Sequence, residues 1–313
     1  MGGKSLKELF DAKDGIAVSE ALAPSFKVLM KLKKDVPYLK DMQFKKTSYQ
    51  VGDAQSAFKG RGIEFEEVRP YQFGDDVRDI DWRVTARKDQ PYTKLYMEEK
   101  DREIYVWLNL SSQMYFGTKG ELKSVTASKT AALLGWLAVS YKDRFGLALY
   151  TGTQTYLFEP RRHQEYFLSI LKKIEQVAKE NLQHHEDTQT IQKSLQYMQR
   201  KASRHAIVFL VGSFDVRDED TMKEIKLLSQ DNEVYVVNIC DRLELECPPK
   251  GEYVAQFEKE TAKIQNDGEN YALSYEKYFE QKRAALREFC RKHDIHYRLV
   301  RSDFPIYTQL RPI

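Results

Sequence analysis

The sequence has few cysteines, and their spacing indicates neither a disulfide framework nor a metal-binding pair. Its 313 residues include three cysteines, Cys240, Cys247 and Cys290, and none of them lies in a Cys-x-x-Cys spacing. An odd and scattered set disfavours both a disulfide-stabilised secreted domain and a redox-active pair. We therefore expect a reduced, cytoplasmic protein.

Long apolar segments are also missing. A membrane-spanning helix needs about 18 apolar residues. The best candidate, residues 130–141, is shorter and runs directly into Lys142, Asp143 and Arg144. Residues 1–15 lack the apolar core of a secretory signal. The sequence thus predicts no membrane span.

The sequence lacks the common signatures of nucleotide and serine chemistry. It has no G-x-x-x-x-G-K phosphate loop and no G-x-S-x-G nucleophile elbow, so we predict no catalytic residue and no cofactor. With 50 Lys and Arg against 47 Asp and Glu, the net charge of +3 does not favour nucleic acid as a partner. One alternative is that the basic stretch 27–46 is a nucleic-acid-binding arm, which predicts a steep salt dependence of binding.

From residue 101 onward, apolar strands alternate with helical patterns. Residues 104–110 form a continuous apolar run, and the second half of the helix predicted over 120–142 is apolar nearly all round. Further strands are predicted over 145–150, 155–158, 206–211, 234–239 and 296–300. Further helices are predicted over 163–178, 188–201, 218–229 and 271–292. This alternation predicts an α/β domain with a doubly wound, mostly parallel sheet over about 101–303.

The first hundred residues have a different character. Apolar residues recur at helical spacing over 19–34 and predict a short amphipathic helix. Residues 43–100 combine β-forming residues with glycines, which is typical of short strands and turns. We therefore divide the chain into a helical segment (1–45), a β elaboration (46–100) and the α/β domain (101–313).

The densest local signal is the run GRGIEFEEVRPYQFGDDVRDIDWRVTAR, residues 60–87. Arginines and carboxylates alternate there with aromatic residues, which favours paired networks because a guanidinium can hold a carboxylate through two hydrogen bonds. We expect Arg78 to be buried with Asp76 or Asp81, and Trp82 to be docked onto the α/β body. The alternative is a metal-dependent hydrolase or nuclease that uses Asp75, Asp76 and Asp81. It is disfavoured because each carboxylate has a nearby arginine and no histidine joins them.

This run resembles bacterial domain-of-unknown-function family fifty-eight, whose members carry G-x-G-x-E-F, R-x-Y, G-D-D-x-R-x-I-D-W and A-R. We assign its matching residues a structural role: Arg69, Tyr71, Gly74, Asp75, Asp76, Arg78, Asp81, Trp82 and Arg87. The resemblance implies that a von Willebrand factor A-like domain follows the run. It also implies an adaptor, not an enzyme, that works with a MoxR-type AAA+ ATPase.

Ligands of open α/β sheets bind beyond the carboxyl ends of the strands, here around residues 109–114 and 212–215. In von Willebrand A-type domains the first of these loops reads D-x-S-x-S and binds Mg²⁺, together with a later threonine and aspartate. This chain has Asn109, Ser111 and Gln113 in the first loop, Ser213 in the aspartate position, and Thr188 or Thr190 as the threonine.

The resemblance therefore implies a degenerate metal site that holds no metal ion, since both expected carboxylates are replaced. In its place we expect direct contacts with a protein partner. The residues assigned to them are Asn109, Ser111, Gln113, Met114, Tyr115, Thr188 and Ser213.

Overall fold

The computed structural model describes residues 18–39, 63–88, 90–98, 102–183, 187–201, 203–257, 260–266 and 268–310. The chain divides into two compact units, one of residues 44–101 and one that joins residues 1–43 to residues 102–313. Each unit has its own sheet.

The amino-terminal segment of the larger unit contains three short helical pieces. They are α1 (Val18–Leu22), α2 (Phe26–Lys31) and a 3-10 helix over Leu32–Leu39. The single helix predicted over 19–34 is therefore wrong in its continuity. Pro24 has no N–H to donate, and Ser25 starts a new helix by accepting a hydrogen bond from the Val28 N–H at 3.3 Å.

The smaller unit is a two-stranded antiparallel sheet with a long connection. Strand β1 (Ile63–Pro70) pairs with β2 (Tyr92–Glu98), and between them lie a 3-10 helix (Val77–Asp79) and helix α3 (Trp82–Thr85). Asp76 and Asp81 form the N-caps of these two helices. Over residues 63–98 the expected strands and turns are present, while residues 46–62 of the predicted β elaboration lie outside the described residues.

The larger unit contains a six-stranded sheet with the order β10-β7-β6-β3-β4-β5. Its strands are β3 (Glu103–Asn109), β4 (Arg144–Tyr150), β5 (Thr155–Arg161), β6 (Ile207–Gly212), β7 (Glu233–Cys240) and β10 (His296–Arg301). Strands β8 (Gly251–Phe257) and β9 (Glu260–Asn266) form a separate hairpin. Only β5 pairs antiparallel with its neighbour in the larger sheet, so the predicted mostly parallel sheet is confirmed.

Helices cover both faces of this sheet. They are α4 (Lys123–Ser140), α5 (Gln164–Glu180), α6 (Ile191–Gln199), α7 (Glu219–Asp231), α8 (Glu269–Lys292) and the short α9 (Ile306–Gln309). On one face, Tyr105 and Trp107 of β3 share an apolar cluster with residues of α6, α7 and α8. On the other, the ring of Phe167 in α5 lies 5.2 Å from that of Phe145 in β4 and 4.9 Å from that of Trp136 in α4.

Helix α4 is buried on nearly all sides, as its apolar sequence predicts. It contacts β3, β4, β6 and β7 of the sheet, and it also contacts α1, α2 and α5. Trp136 links it to α2 by donating its Nε1–H to the carbonyl of Leu29 at 3.0 Å. Its apolar character reflects this packing, and none of the helices in the described ranges is long and apolar enough to cross a membrane.

Gly135 in α4 makes this packing testable. A Cβ added at Gly135 would lie 2.2 Å from Cε2 of Phe167. Alanine gains about 1 kcal/mol over glycine in a helix, but overpacking a core costs about 1–3 kcal/mol. We expect Gly135→Ala to lower the free energy of unfolding measured in urea. Phe167→Leu should reduce that effect in a double-mutant cycle; an unchanged effect would show that the ring is not the cause.

Candidate functional site

The candidate site lies at the carboxyl edge of the six-stranded sheet, where the strand order reverses. Strand β3 is followed in the chain by β4 on one side, while its other neighbour, β6, leads on to β7 and β10. The loops that follow β3 and β6 therefore leave the sheet in opposite directions and open a crevice between them. The structure joins the two loops through Gln113, whose Nε2 donates to the carbonyl of Ser213 at 3.4 Å.

Asn109 ends β3 and is fully buried. Its Oδ1 accepts a hydrogen bond from the Ser111 N–H at 2.8 Å, which fixes the orientation of the amide because only an oxygen can accept from that donor. Its Nδ2 has no hydrogen-bond partner within the described part of the chain. Gly212 leaves room for this side chain, since a Cβ there would lie 2.8 Å from the Cβ of Asn109. Asn109 therefore presents an N–H donor to the loop cluster.

The next residues of this loop are more buried than the sequence suggested. Ser111 is buried, and its Oγ has no partner among the described residues. Met114 is also fully buried, because the 3-10 turn Ser112–Met114 folds it back under the loop. Tyr115 packs partly against the cluster of Ala21, Leu122 and Val125, and burial raises the pKa of its hydroxyl. Met114 and Tyr115, which the sequence assigns to contacts with a partner, are thus buried and half-buried.

A third segment, residues 187–190, completes the edge. The carboxylate of Asp187 accepts hydrogen bonds from Ser112 N at 3.1 Å and Ser112 Oγ at 2.9 Å. The N–H groups of Thr188 and Gln189 both donate to the carbonyl of Gly152, at 2.9 and 2.7 Å. The sequence does not mark Asp187 as a site residue, because in a polar loop before a helix it is typical of an N-cap, a role that Thr190 takes in the structure.

The two candidate threonines differ in what their side chains do. Thr190 is the N-cap of α6, and its Oγ1 accepts a hydrogen bond from the Lys193 N–H at 3.2 Å. Thr188 is exposed at the edge of the sheet. Of these two threonines, Thr188 is the one whose hydroxyl is not used to cap a helix.

Asp215 forms ion pairs with two cationic side chains. It follows β6 and lies two residues after Ser213, the position where the von Willebrand A-type pattern has its aspartate. Its carboxylate accepts from Arg217 Nε and Nη2 and lies 2.9 Å from the Nζ of Lys282. The Arg217 guanidinium and the Lys282 ammonium hold the pKa of Asp215 well below its ordinary range. This carboxylate is therefore committed to a local ion-pair network.

Asp241, which the sequence analysis missed, connects three loops at the same edge. It is fully buried and follows β7. Its carboxylate accepts from Thr118 N at 2.9 Å, Thr118 Oγ1 at 2.6 Å, Leu243 N at 2.9 Å and Ser302 Oγ at 3.3 Å. Its position directly after an apolar strand is the signal that could have identified it.

In the smaller unit, the acidic residues of the run 60–87 that the structure describes form local contacts. Asp75 accepts from Gln72 N at 2.9 Å and from Arg69 Nη2 at 2.7 Å, and these two donors hold its pKa below the ordinary value. Asp76 and Asp81 accept from backbone N–H groups as helix caps. Gly74 has a φ of 111° and permits the turn before them. Within the described ranges, no three His, Cys, Asp or Glu side chains are grouped so that they could hold a metal ion.

Two expectations about this run are wrong. Arg78 is exposed, not buried in a carboxylate network, because Asp76 accepts from its backbone N–H instead of its guanidinium. Trp82 is 70% exposed, so its predicted burial is contradicted as well. The other residues assigned a structural role are Tyr71, which is half-buried, and Arg87, which is exposed.

Comparison with known proteins supplies the family. Residues 67–285 match the family described as "Protein of unknown function DUF58". The chain belongs to the DUF58 family. Among curated relatives, an uncharacterized protein of Mycobacterium tuberculosis (strain H37Rv) is 24% identical over 205 residues, which are 66% of this chain and 63% of that protein. This DUF58 chain thus spans less than two thirds of the length of the curated relatives it matches.

Two solved structures are similar to this DUF58 chain at low identity. The conserved hypothetical protein BatB from Bacteroides thetaiotaomicron is 11% identical, with a TM-score of 0.37 over 66% of this chain and 93% of that chain. An aerotolerance-related membrane protein from Bacteroides fragilis is 13% identical, with a TM-score of 0.43 over 67% of this chain and 98% of that chain.

The role of Asp241 in this DUF58 protein leads to a prediction. Asp241→Asn replaces an acceptor oxygen by a donor that faces buried donors, and leaving a buried group unsatisfied costs about 1–3 kcal/mol. We expect the free energy of unfolding in urea to fall by that amount. Asp218→Asn is the matched control, since Asp218 is an exposed N-cap where asparagine caps equally well. Equal losses in the two variants would refute the special role of Asp241.

Proposed function

We propose that this protein is a non-enzymatic, cytoplasmic protein-interaction module: a von Willebrand factor A-like domain with a degenerate metal site, working as an adaptor with a MoxR-type AAA+ ATPase. The observation that carries the proposal is the carboxyl edge of the sheet. There the family's metal-binding pattern has amide and hydroxyl side chains in place of carboxylates, beneath an exposed polar rim.

The sheet topology supports a von Willebrand A-like fold. The strand order, the single antiparallel edge strand β5 and the helices on both faces place the reversal point between β3 and β6. The loop that would hold the ion in such a domain follows β3, the strand beside that point. Asn109, Ser111 and Gln113 lie in this loop, in the order of the D-x-S-x-S pattern.

The side chains at this edge of the sheet support a site that no longer binds Mg²⁺. This ion requires an octahedron of oxygens and usually carboxylate charge. The only oxygen of the Asn109 side chain is engaged by Ser111 N, and its free atom is a donor. Asp215 is paired with Arg217 and Lys282, and Asp187 accepts two hydrogen bonds from Ser112. These residues do not fit the ion.

The groups that reach the surface of this edge define the proposed partner face. Gln113 and Thr188 are exposed, Ser213 is half-buried, and Phe116 is 43% exposed. An aromatic side chain among polar tips is typical of an interface anchor and its rim. The buried residues Asn109, Ser111 and Met114 then support the face from below and do not touch the partner.

Affinity capture from the native cell tests the proposed partner. The tagged protein should retain an AAA+ ATPase, identified by mass spectrometry, and the amount captured should depend on added ATP, since such ATPases change conformation with their nucleotide. Capture of other proteins without any AAA+ ATPase, in both nucleotide conditions, would contradict the partnership.

Gln113 offers a point test of the partner face. Gln113→Lys places a charge at the rim, breaks the contact with Ser213 and should abolish ATPase capture without lowering the melting temperature, because the side chain is exposed. Gln176→Lys, the same change on the exposed side of α5, should leave capture intact. Equal capture by all three proteins would place the interface elsewhere.

A further inference from the structure

The segment between β1 and β2 exposes large apolar side chains. Phe73 is fully exposed, Val77 is 61% exposed and Trp82 is 70% exposed. Exposed tryptophan and phenylalanine on one short segment are unusual on a surface that stays in water. This segment also carries the strongest sequence motif of the chain, to which the proposed partner face assigns no binding role.

The same segment exposes its arginines, while the carboxylates of Asp75, Asp76 and Asp81 accept hydrogen bonds from groups close to them in the chain. Arg78, Arg83 and Arg87 are exposed, and within the described residues their guanidinium groups make no hydrogen bond and no ion pair within 4 Å. Hydrogen bonds from helix N–H groups lower the pKa of the neighbouring Asp81, and the charge of Arg83 still helps to lower it. By contrast, Asp75 is held by Arg69, and Asp81 accepts from the N–H groups of its own helix. Arginine and tryptophan are the residues most enriched at the energetic centres of interfaces.

The backbone of the segment is held in place before any partner arrives. Its ends are joined by Tyr71 N donating to the Pro91 carbonyl and Asp81 N donating to the Tyr92 carbonyl, both at 2.8 Å. Tyr92 N also donates to Thr85 Oγ1 at 2.9 Å. A preorganised loop loses less conformational entropy on binding, so its exposed side chains are suited to recognition.

We propose that the segment from Phe73 to Arg87 is a second binding surface, for an acidic peptide segment of another protein. Carboxylates of the peptide pair with the guanidinium groups of Arg78, Arg83 and Arg87, and its apolar side chains pack on Phe73 and Trp82. The surface belongs to the smaller unit and does not depend on the partner face of the proposed function.

The overall charge of the smaller unit favours a short acidic peptide over an extended polyanion. Residues 44–101 contain 12 Asp and Glu against 11 Lys and Arg, a net charge of −1. Nucleic acid and anionic membranes require an extended positive surface to neutralise many phosphates. A peptide can instead place individual carboxylates against individual arginines.

Trp82 supplies a direct probe of this surface. The chain has three tryptophans, and the other two, Trp107 and Trp136, are 0% and 1% exposed, so iodide quenching reports on Trp82. A synthetic peptide that alternates Glu with Leu and Phe should protect Trp82 in the full-length protein from iodide several-fold. The protection should weaken as salt is added. Trp82→Phe should remove the quenchable signal and confirm its source.

Substitutions test whether the peptide binds to these particular arginines or to any exposed cation of the protein. Arg78→Gln and Arg83→Gln should each weaken peptide binding about tenfold, or ~1.4 kcal/mol. Melting should be unchanged, because these residues donate to the N-caps Asp76 and Asp81 through their backbone N–H groups, which the substitutions keep. Arg204→Gln, at an 80% exposed arginine of the larger unit, is the matched control and should have no effect. Gln113→Lys should bind the peptide normally even if it loses ATPase capture.

Several results would overturn the proposal. One is equal protection by a peptide with Gln in place of Glu, which would indicate apolar contact alone. Another is protection by single-stranded DNA or phosphatidylserine vesicles but not by the acidic peptide. The third is no protection by the peptide at any soluble concentration.

Discussion

The hydrogen bond from the Ser111 N–H to Oδ1 of Asn109 determines the chemistry of the carboxyl edge. An aspartate in this position could hold the same N–H with one oxygen and offer the second oxygen to a cation. Asparagine uses its only oxygen for the turn, at 2.8 Å, and turns a donor toward the loop cluster. In the proposed degenerate site, this change of one atom type removes the carboxylate charge that a cation usually requires and puts an N–H donor in place of an oxygen.

The loops around Asn109 are held by backbone and amide hydrogen bonds that need no ion. Asn181 donates from Nδ2 to the carbonyls of Leu110 and Thr151, at 2.9 and 3.0 Å, and so ties the loop after β3 to the loop after β4. Asp241 ties the same first loop to the ends of β7 and β10. Because buried polar groups that are satisfied also fix geometry, the rim residues rest on a rigid support.

The sheet and its helices could be predicted from sequence patterns, because buried elements need apolar residues at regular spacing. The apolar run of β3 and the all-round apolar α4 both follow from the need to bury these elements. The rule that ligands bind at the reversal of strand order predicts Asn109 and Ser213 at one edge of the sheet, and Gln113 joins their two loops there. Pro24 interrupts the single amino-terminal helix that the spacing of apolar residues predicts, because a local effect of this kind does not change that spacing.

The errors came from side-chain direction, which composition does not encode. Met114 is a residue typical of exposed anchors, yet the turn at Ser112–Met114 points it inward. In the acidic run, dense alternating charges suggested pairs between side chains. The carboxylates of Asp76 and Asp81 instead accept from backbone N–H groups, so Arg78 and Arg83 remain exposed. These carboxylates cap helices instead of pairing with arginines, because the first N–H groups of a helix have no backbone acceptor of their own.

The most direct test of the proposed degenerate metal site is thermal melting of two proteins with and without millimolar Mg²⁺. The parent should gain no stability, since a ligand stabilises the native state only as far as it binds. The variant that combines Asn109→Asp, Gln113→Ser and Ser213→Asp should melt lower without metal, because its carboxylates repel each other, and should recover as Mg²⁺ is added. A concentration-dependent rise in the melting temperature of the parent itself would contradict the amide orientation at Asn109 and the degenerate site built on it.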